Sequence, residues 1–253
     1  MSEIQANLDR VRERLTDAAR RAGRTEREVL LVAVSKTVDL PRIREAVAAG
    51  VPALGENRVQ EATEKIETLG HPVPWHLIGH LQTNKVRDAV DLFDVIESVD
   101  RLALAQAISE RAGRAGRTVD VLVQVNVAEE PQKGGIAPAA LRPALEAMAA
   151  LPGLRLRGLM TIPPLPKDPE ESRPRYRELR KLLDGARGWG LGPELRDLSM
   201  GMSGDFEVGV EEGATIVRVG TAIFGPRGVG GPRGAGGPRE PGGPRGAGPA
   251  GGA

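Results

Sequence analysis

The residue with the clearest chemical potential is Lys36, which follows an apolar run at residues 29–34. Such a run predicts a buried strand, and a lysine just past its C-terminal end would present its amine at the edge of the sheet. An amine in that place can form a Schiff base with an aldehyde. The chain has six lysines, at positions 36, 65, 85, 133, 167 and 181. The alternative for Lys36 is a strand-terminal lysine that extends into water without a chemical role.

A second candidate feature lies near the C-terminal end, where small residues follow two further apolar runs. Ser203 belongs to a Gly-Met-Ser-Gly turn before a predicted helix at 206–212, and Gly220 and Thr221 follow the last run. Helix N-termini, glycine backbones and hydroxyls all supply donors for phosphate, so the two loops together predict a phosphate cradle. The alternative for Ser203 is a simple helix N-cap. Asp205 argues against the cradle unless its carboxylate points away, because it would repel phosphate.

These features lie in a chain that alternates strand-like and helix-like segments. Eight apolar runs predict strands at 29–34, 52–54, 75–78, 93–96, 119–127, 155–160, 195–200 and 216–219. Amphipathic or alanine-rich segments predict helices that include 41–49, 59–68, 100–112, 138–150 and 172–183. Eight such units favour an α/β fold with a single closed (β/α)8 TIM-type barrel over a doubly wound open sheet of fewer strands. Apolar residues at helical spacing from Ile4 to Ala18 predict an extra N-terminal helix outside the barrel.

Closure of the barrel would bring the two features into one site. In a TIM-type barrel the loops after the strands carry the chemistry, and phosphate commonly lies after strands seven and eight. Lys36 follows the first strand, so it neighbours that cradle only if the first and last strands pair. A lysine beside phosphate indicates either pyridoxal 5′-phosphate (PLP) binding or a phosphosugar aldolase. Arg218, inside the last strand, would face a pyridine nitrogen or pair with a carboxylate.

Composition limits the other function classes. The absence of cysteine excludes disulfides and thiolate catalysis. No apolar run reaches the about 18 residues of a membrane span, and the N-terminus does not resemble a secretory signal, so we expect a cytoplasmic protein with no membrane partner. The three histidines, His71, His76 and His80, are not expected to converge on a metal, and His76 is expected to fill the barrel interior.

Residues 226–253 differ sharply from the rest of the chain. They contain 12 glycines and 6 prolines, with Gly-Pro-Arg repeated at regular spacing. Such a segment cannot bury a core, which predicts a barrel at 1–225 and a disordered Gly/Pro/Arg-rich tail at 226–253. The tail carries four arginines and one glutamate, so the predicted barrel is slightly acidic. This balance does not favour nucleic-acid binding.

Six motifs, taken together and in order, resemble a known family. They are VAVSKT (32–37), GENRVQE (55–61), WHLIGHLQTNK (75–85), RGLMTI (157–162), SMGMS (199–203) and VRVGTAIFG (217–225). This combination is similar to the pyridoxal phosphate homeostasis protein family, and the resemblance extends from the predicted N-terminal helix to Gly225. It implies a barrel similar to the N-terminal domain of alanine racemase, with PLP bound as an internal aldimine on Lys36.

The resemblance also implies the other contacts and the function. By position, the phosphate contacts are Ser203, Gly220 and Thr221, the residue at the pyridine nitrogen is Arg218, and the pocket residues near the ring are Asn57 and Met160. The implied role is that of a carrier or buffer in PLP homeostasis rather than an enzyme, with PLP-accepting apo-enzymes as partners.

The residues themselves leave alternatives open. A PLP-dependent enzyme with weak racemase-like activity and a lysine-imine aldolase both remain alongside the carrier. Racemisation needs a second proton-transfer group, and the single tyrosine, Tyr176, lies in a highly charged predicted helix, which favours the carrier. Lys85 and Lys133, in loops at the same mouth, are alternatives for transient PLP binding. The sequence does not decide between a monomer and a weak dimer.

Overall fold

Eight short strands rich in valine, leucine and isoleucine form the centre of the structure. The computed structural model describes residues 2–130 and 134–226. The strands are β1 (Leu30–Val34), β2 (Ala53–Glu56), β3 (Trp75–Leu77), β4 (Val95–Val99), β5 (Val119–Gln124), β6 (Leu154–Met160), β7 (Asp197–Met202) and β8 (Ile216–Val219). Each strand pairs in parallel with the next, and β8 pairs with β1. The predicted (β/α)8 barrel is confirmed, and the open sheet is wrong.

Helices surround the barrel. They are α1 (Glu3–Arg21), α2 (Leu40–Ala48), α3 (Val59–Leu69), α4 (Val86–Leu92), α5 (Leu102–Arg114), α6 (Leu141–Ala149), α7 (Arg173–Arg187), α8 (Phe206–Glu211) and α9 (Thr221–Phe224). The extra N-terminal helix is α1, whose buried stripe includes Ile4, Leu8 and Val11 and which packs against α8 and α9. None of the described helices combines the length and the apolar character needed to cross a membrane.

The alternation of side chains along each strand produces two apolar layers. Side chains on the outer face, such as Ala33, join the core between the strands and the helices. Side chains on the inner face fill the barrel, where Val32, Leu122, Met160 and Ile216 pack together. Because successive residues of a strand point to opposite faces, this alternation decides which residues at a strand end can reach the mouth of the barrel.

Some predicted boundaries differ from the structure. The predicted strands 93–96 and 195–200 end too early, because β4 continues through Glu97 and β7 through Gly201. The predicted strand 119–127 is too long, since β5 ends at Gln124 and Val125 makes only an isolated bridge. The predicted tail lies outside the described residues except for Pro226, so its disorder and the domain boundary stay predictions.

Candidate functional site

Pairing of the first and last strands places Lys36 beside the end of β8. The register sets Ala33 opposite Val219. One position further along, Gly220 lies against Val34, and a Cβ at this glycine would be 3.2 Å from the carbonyl oxygen of Val34. Lys36 is two residues past Val34, on the same rim of the barrel.

A cavity of about 720 Å³ opens at this rim, within the size range of small-molecule sites. Its walls come from the loop after β1, the start of α2, one face of α3 and the chain around α9. Three of the predicted site residues line it, namely Lys36, Gly220 and Thr221. The other four predicted residues, Asn57, Met160, Ser203 and Arg218, lie outside its lining. The predicted site is therefore divided between this cavity and the neighbouring interior and loops of the barrel.

The loops after β7 and β8 converge on one hydroxyl. The Oγ atom of Ser203 accepts the backbone N–H of Gly220 at 3.1 Å and that of Ala222 at 3.4 Å. Ser203 does not cap α8, whose N-cap residue is Asp205, so the N-cap interpretation of this serine is wrong. The side chain of Thr221 is exposed at the same place. Ala222 was not predicted, because a backbone donor carries no side-chain signature.

Asp205 holds the loop after β7 from below. One carboxylate oxygen accepts the N–H of Met202 at 2.8 Å, and the other accepts the hydroxyls of Ser172 at 2.7 Å and Tyr176 at 2.8 Å. The carboxylate is buried and engaged by these three donors, which lessens its repulsion of a phosphate at the loop above. Burial, followed by the negative charge of Asp205, raises the pKa of Tyr176 above the ordinary value for tyrosine.

Arg218 belongs to a polar network inside the barrel. Its side chain is 3% exposed and donates to the hydroxyl of Ser199 at 2.5 Å and to the carbonyl oxygen of Thr161 at 2.7 Å. The Ser199 hydroxyl donates to Glu97 Oε2 at 2.5 Å, and His76 Nδ1 lies 2.6 Å from Glu97 Oε1. Because a carboxylate only accepts, Nδ1 of this histidine carries the proton.

The charge of Glu97 balances this interior network. Burial alone would raise its pKa, but the hydrogen bond and charge of His76, the charge of Arg218 and the bond from Ser199 outweigh burial and lower the pKa below the ordinary glutamate value. Sequence reasoning missed Glu97 because the predicted strand stopped at residue 96. Valine at 95 and again at 99, two residues on either side of Glu97, is the spacing of a strand that continues through the glutamate. This spacing is the signal that could have revealed Glu97.

The remaining two predicted residues lie at the end of β6 and just past the end of β2. Met160 ends β6 and is fully buried in the interior apolar cluster. Asn57 follows β2 and is half-buried. Its Oδ1 atom is buried and accepts no hydrogen bond from the described residues. An acceptor of this kind fits a site for a ligand that brings a donor.

A second polar network lies on the outer face of β1 and β2, next to Lys36, and two of its members, Glu61 and Lys65, also line the cavity. The Nζ atom of Lys65, on α3, donates to the Ser35 carbonyl oxygen at 2.6 Å and to Glu56 and Glu61 at 2.7 Å each. Burial raises the pKa of Glu56, and the neighbouring Lys65 ammonium opposes that shift. Sequence reasoning missed Lys65, because two of its three partners, Ser35 and Glu56, lie on other elements and only Glu61 is on the same helix.

The other candidates for chemistry are distributed around the barrel. Lys85 precedes α4 and is half-buried, whereas Lys133 lies outside the described residues. His76 is buried in the interior as predicted, and the exposed His80 lies 3.1 Å from Asp100. Within residues 2–130 and 134–226, no group of three or more histidine, aspartate or glutamate side chains is arranged to hold a metal ion.

Comparison with known proteins agrees with this architecture. The family model for the N-terminal domain of alanine racemase matches residues 6–228. The pyridoxal phosphate homeostasis protein of Aquifex aeolicus is 47% identical over 222 residues, which cover 87% of this chain and 96% of that protein. The protein of the same name from Escherichia coli K12 is 42% identical over 234 residues, covering 90% and 98%.

A solved structure gives the same result. PipY of Synechococcus elongatus, determined with PLP bound, superposes with a TM-score of 0.78 at 40% identity, covering 88% of this chain and all of PipY. The chain therefore belongs to the pyridoxal phosphate homeostasis protein family and has the fold of the alanine racemase N-terminal domain.

Proposed function

We propose that this protein binds PLP as a Schiff base on Lys36 and serves as a cytoplasmic carrier that takes part in PLP homeostasis. The observation that carries the proposal is the pairing of β1 with β8, which brings Lys36, Gly220 and Thr221 to one cavity. The similarity to PipY, which was solved with PLP, and the names of the curated relatives support it.

The residues at the rim match the chemical groups of this cofactor. PLP supplies an aldehyde, to which Lys36 Nζ forms a C=N bond with loss of one water molecule, and a phosphate dianion. Ser203 and Thr221 contribute hydroxyl groups to the phosphate. The N–H groups of Gly220 and Ala222, which both point at Ser203 Oγ, add two backbone donors. Both N–H groups are engaged by Ser203 Oγ, so this side chain must rotate away from them for the two donors to reach the phosphate.

Two residues of the barrel interior, Arg218 and Met160, and Asn57 in the loop after β2 complete the proposed pocket. Arg218 donates to the pyridine nitrogen, Asn57 supplies the buried acceptor, and Met160 provides an apolar surface near the ring. The guanidinium is permanently charged, so it keeps that nitrogen unprotonated. A ring without a proton on nitrogen is a weaker electron sink, which favours storage of the cofactor over catalysis with it.

The position of Tyr176 also favours a carrier. Racemisation on a lysine-bound cofactor needs a second proton-transfer group opposite the lysine. The chain has one tyrosine, and it is fully buried beneath the loop after β7, where its hydroxyl donates to Asp205. Its hydroxyl proton is therefore engaged by a buried carboxylate, which does not suit a proton-transfer group that must face a substrate.

Covalent trapping tests the assignment of Lys36. Borohydride reduction of the PLP-loaded protein, followed by peptide mass mapping, is expected to place the pyridoxyl group on Lys36. The variant Lys36→Ala should lose the imine absorbance, whereas Lys85→Ala, a lysine at the same mouth, should keep it. An adduct found mainly on Lys85 or Lys133 would contradict the assignment.

The phosphate contacts can be tested with a matched pair of ligands. Ser203→Ala is expected to weaken binding of PLP by a factor of about 10 to 150, since one hydrogen bond to a charged group contributes about 1.5–3 kcal/mol. Binding of pyridoxal, which has no phosphate, should change little. Equal losses for both ligands would show that Ser203 does not act on the phosphate.

Two further assays separate the carrier from an enzyme. A carrier should show no exchange of α-protons into solvent across a panel of amino acids, and it should deliver PLP to an apo-enzyme faster than release into buffer allows. Steady exchange with one amino acid would favour the racemase-like alternative. Cell fractionation tests the cytoplasmic location, and sedimentation distinguishes a monomer from a weak dimer.

A further inference from the structure

The turn that carries Lys36 is held in a strained conformation. The N–H of Val38 donates to the carbonyl oxygen of Ser35 at 2.9 Å, so Lys36 and Thr37 occupy the centre of a tight turn. Thr37 has φ 63°, in the left-handed region. This region suits glycine and is unfavourable for a β-branched side chain, so the surrounding structure must enforce it.

The second polar network, formed by Lys65, Glu56, Glu61 and Ser35, enforces this conformation through the residues on either side of Lys36. On one side, Ser35 accepts from Lys65 Nζ through its carbonyl oxygen and donates from its hydroxyl to Glu56 at 2.7 Å. On the other side, the N–H of Thr37 donates to Glu61 Oε1 at 2.5 Å. Lys65 joins the two sides, because its ammonium also binds both carboxylates.

We propose that Lys65, with Glu56 and Glu61, is a positioning group that keeps the turn in its strained form and so directs Lys36 toward the cavity. The Lys65 side chain is 8% exposed and Glu56 is fully buried. The inference rests on the proposed function, since it assumes that Lys36 is the residue that binds PLP. It adds a role for a second lysine that holds the first in place without reacting itself.

Strain makes the role measurable. When the network is broken, Thr37 is free to return to the ordinary region of φ, and the turn then spends less time in the form that presents Lys36. The apparent affinity for an aldehyde ligand is the intrinsic affinity multiplied by the fraction of molecules whose turn presents Lys36, so it falls as that fraction falls. Glycine at position 37 takes the left-handed conformation without strain, so it should restore that fraction.

The test compares Lys65→Met with the double variant Lys65→Met/Thr37→Gly. Dissociation constants for PLP and for pyridoxal are measured by the absorbance of the imine, and the adduct on residue 36 is quantified after borohydride trapping. Lys65→Met is expected to raise both dissociation constants about tenfold, since strain at one such residue is large enough for that factor. The double variant should recover most of this loss. Lys181→Met, an exposed lysine on α7, is the matched control and should leave both constants unchanged.

Each possible result of this test supports a different explanation for the role of Lys65. A lower melting temperature for Lys65→Met with unchanged dissociation constants would show a merely structural role and overturn the inference. A loss confined to PLP would show that Lys65 acts on the phosphate by charge, and failure of Thr37→Gly to restore binding would refute the strain argument. Glu61→Ala, at a side chain that is 27% exposed, gives the same test if Lys65→Met does not fold. Failure of the proposed function is distinct, since the unaltered protein would then give no adduct on Lys36.

Discussion

Glu97→Gln is a direct test of the charge network inside the barrel. The Glu97 carboxylate is fully buried and accepts hydrogen bonds from His76 and Ser199. Glutamine has nearly the same shape, but only one of its two terminal atoms can accept, so one of these bonds is lost. A bond to a charged group contributes about 1.5–3 kcal/mol, and the buried Arg218 also loses its compensating charge. We expect the free energy of unfolding to fall by about 3 kcal/mol and the melting temperature by about 6–12 °C.

Urea unfolding of the single and double variants measures this effect. Because the pKa of Glu97 is lowered in the folded protein, its ionised form stabilises the fold above the ordinary value of 4.5 and this contribution is lost as the pH falls through the folded value. The unaltered protein should therefore approach Glu97→Gln in acid. At neutral pH, Glu97→Gln and Arg218→Met should show a coupling energy of about 0.5–3 kcal/mol in a double-mutant cycle. Additive effects, with a stability difference that does not depend on pH, would refute the reasoning.

Three further predictions concern the loops and the barrel wall. Tyr176→Phe should lower the free energy of unfolding by about 1–3 kcal/mol, measured in urea, because Asp205 loses a buried donor. The phenolate absorbance of Tyr176 should appear on raising the pH only together with unfolding, since burial raises its pKa; a separate earlier titration would contradict its burial. Gly158→Ala should prevent folding, as judged by circular dichroism, because the new Cβ would lie 1.8 Å from the Asp197 carbonyl oxygen. The control is Gly185→Ala, in an open position on α7, which should leave the fold intact and raise the free energy of unfolding by up to about 1 kcal/mol.

Much of the fold could be predicted because the strands of a closed barrel follow a simple pattern. An apolar run followed by an amphipathic segment recurs eight times, and the strand starts fall within two residues of the predicted ones. The ends were less accurate where a strand contains a residue that is unusual for its interior. Glu97 and Gly201 are such residues. A strand can contain them here because the buried carboxylate of Glu97 has hydrogen-bond donors and because Gly201 lies where only a glycine fits. Glu97 finds partners on β3 and β7, and Gly201 adopts φ 96° where a Cβ would lie 2.9 Å from the backbone of Phe206.

Of the candidate site, only the features that follow from the order of the strands could be predicted from the sequence. The closeness of Lys36 to Gly220 follows from barrel closure, and it needs no knowledge of side-chain partners. The contact of Lys65 with Glu56 and that of Arg218 with Ser199 depend on register and on the facing residue of another element, neither of which a single sequence specifies. The sequence therefore indicated where the candidate site lies and left open which buried charges surround it.

The two buried networks raise the question of why this barrel keeps charges that it could do without. Replacing a buried ion pair by apolar residues of similar volume is often neutral or stabilising, so stability alone is a weak reason for either network. Their placement follows the alternation of strand residues: Ser35 and Glu56 face outward toward Lys65, whereas Arg218 faces inward toward Ser199. One network thus holds the turn that carries Lys36, and the other fixes a guanidinium inside the barrel. We therefore attribute both networks to the positioning of Lys36 and Arg218, the residues that we propose to contact PLP, since burial energy does not account for them.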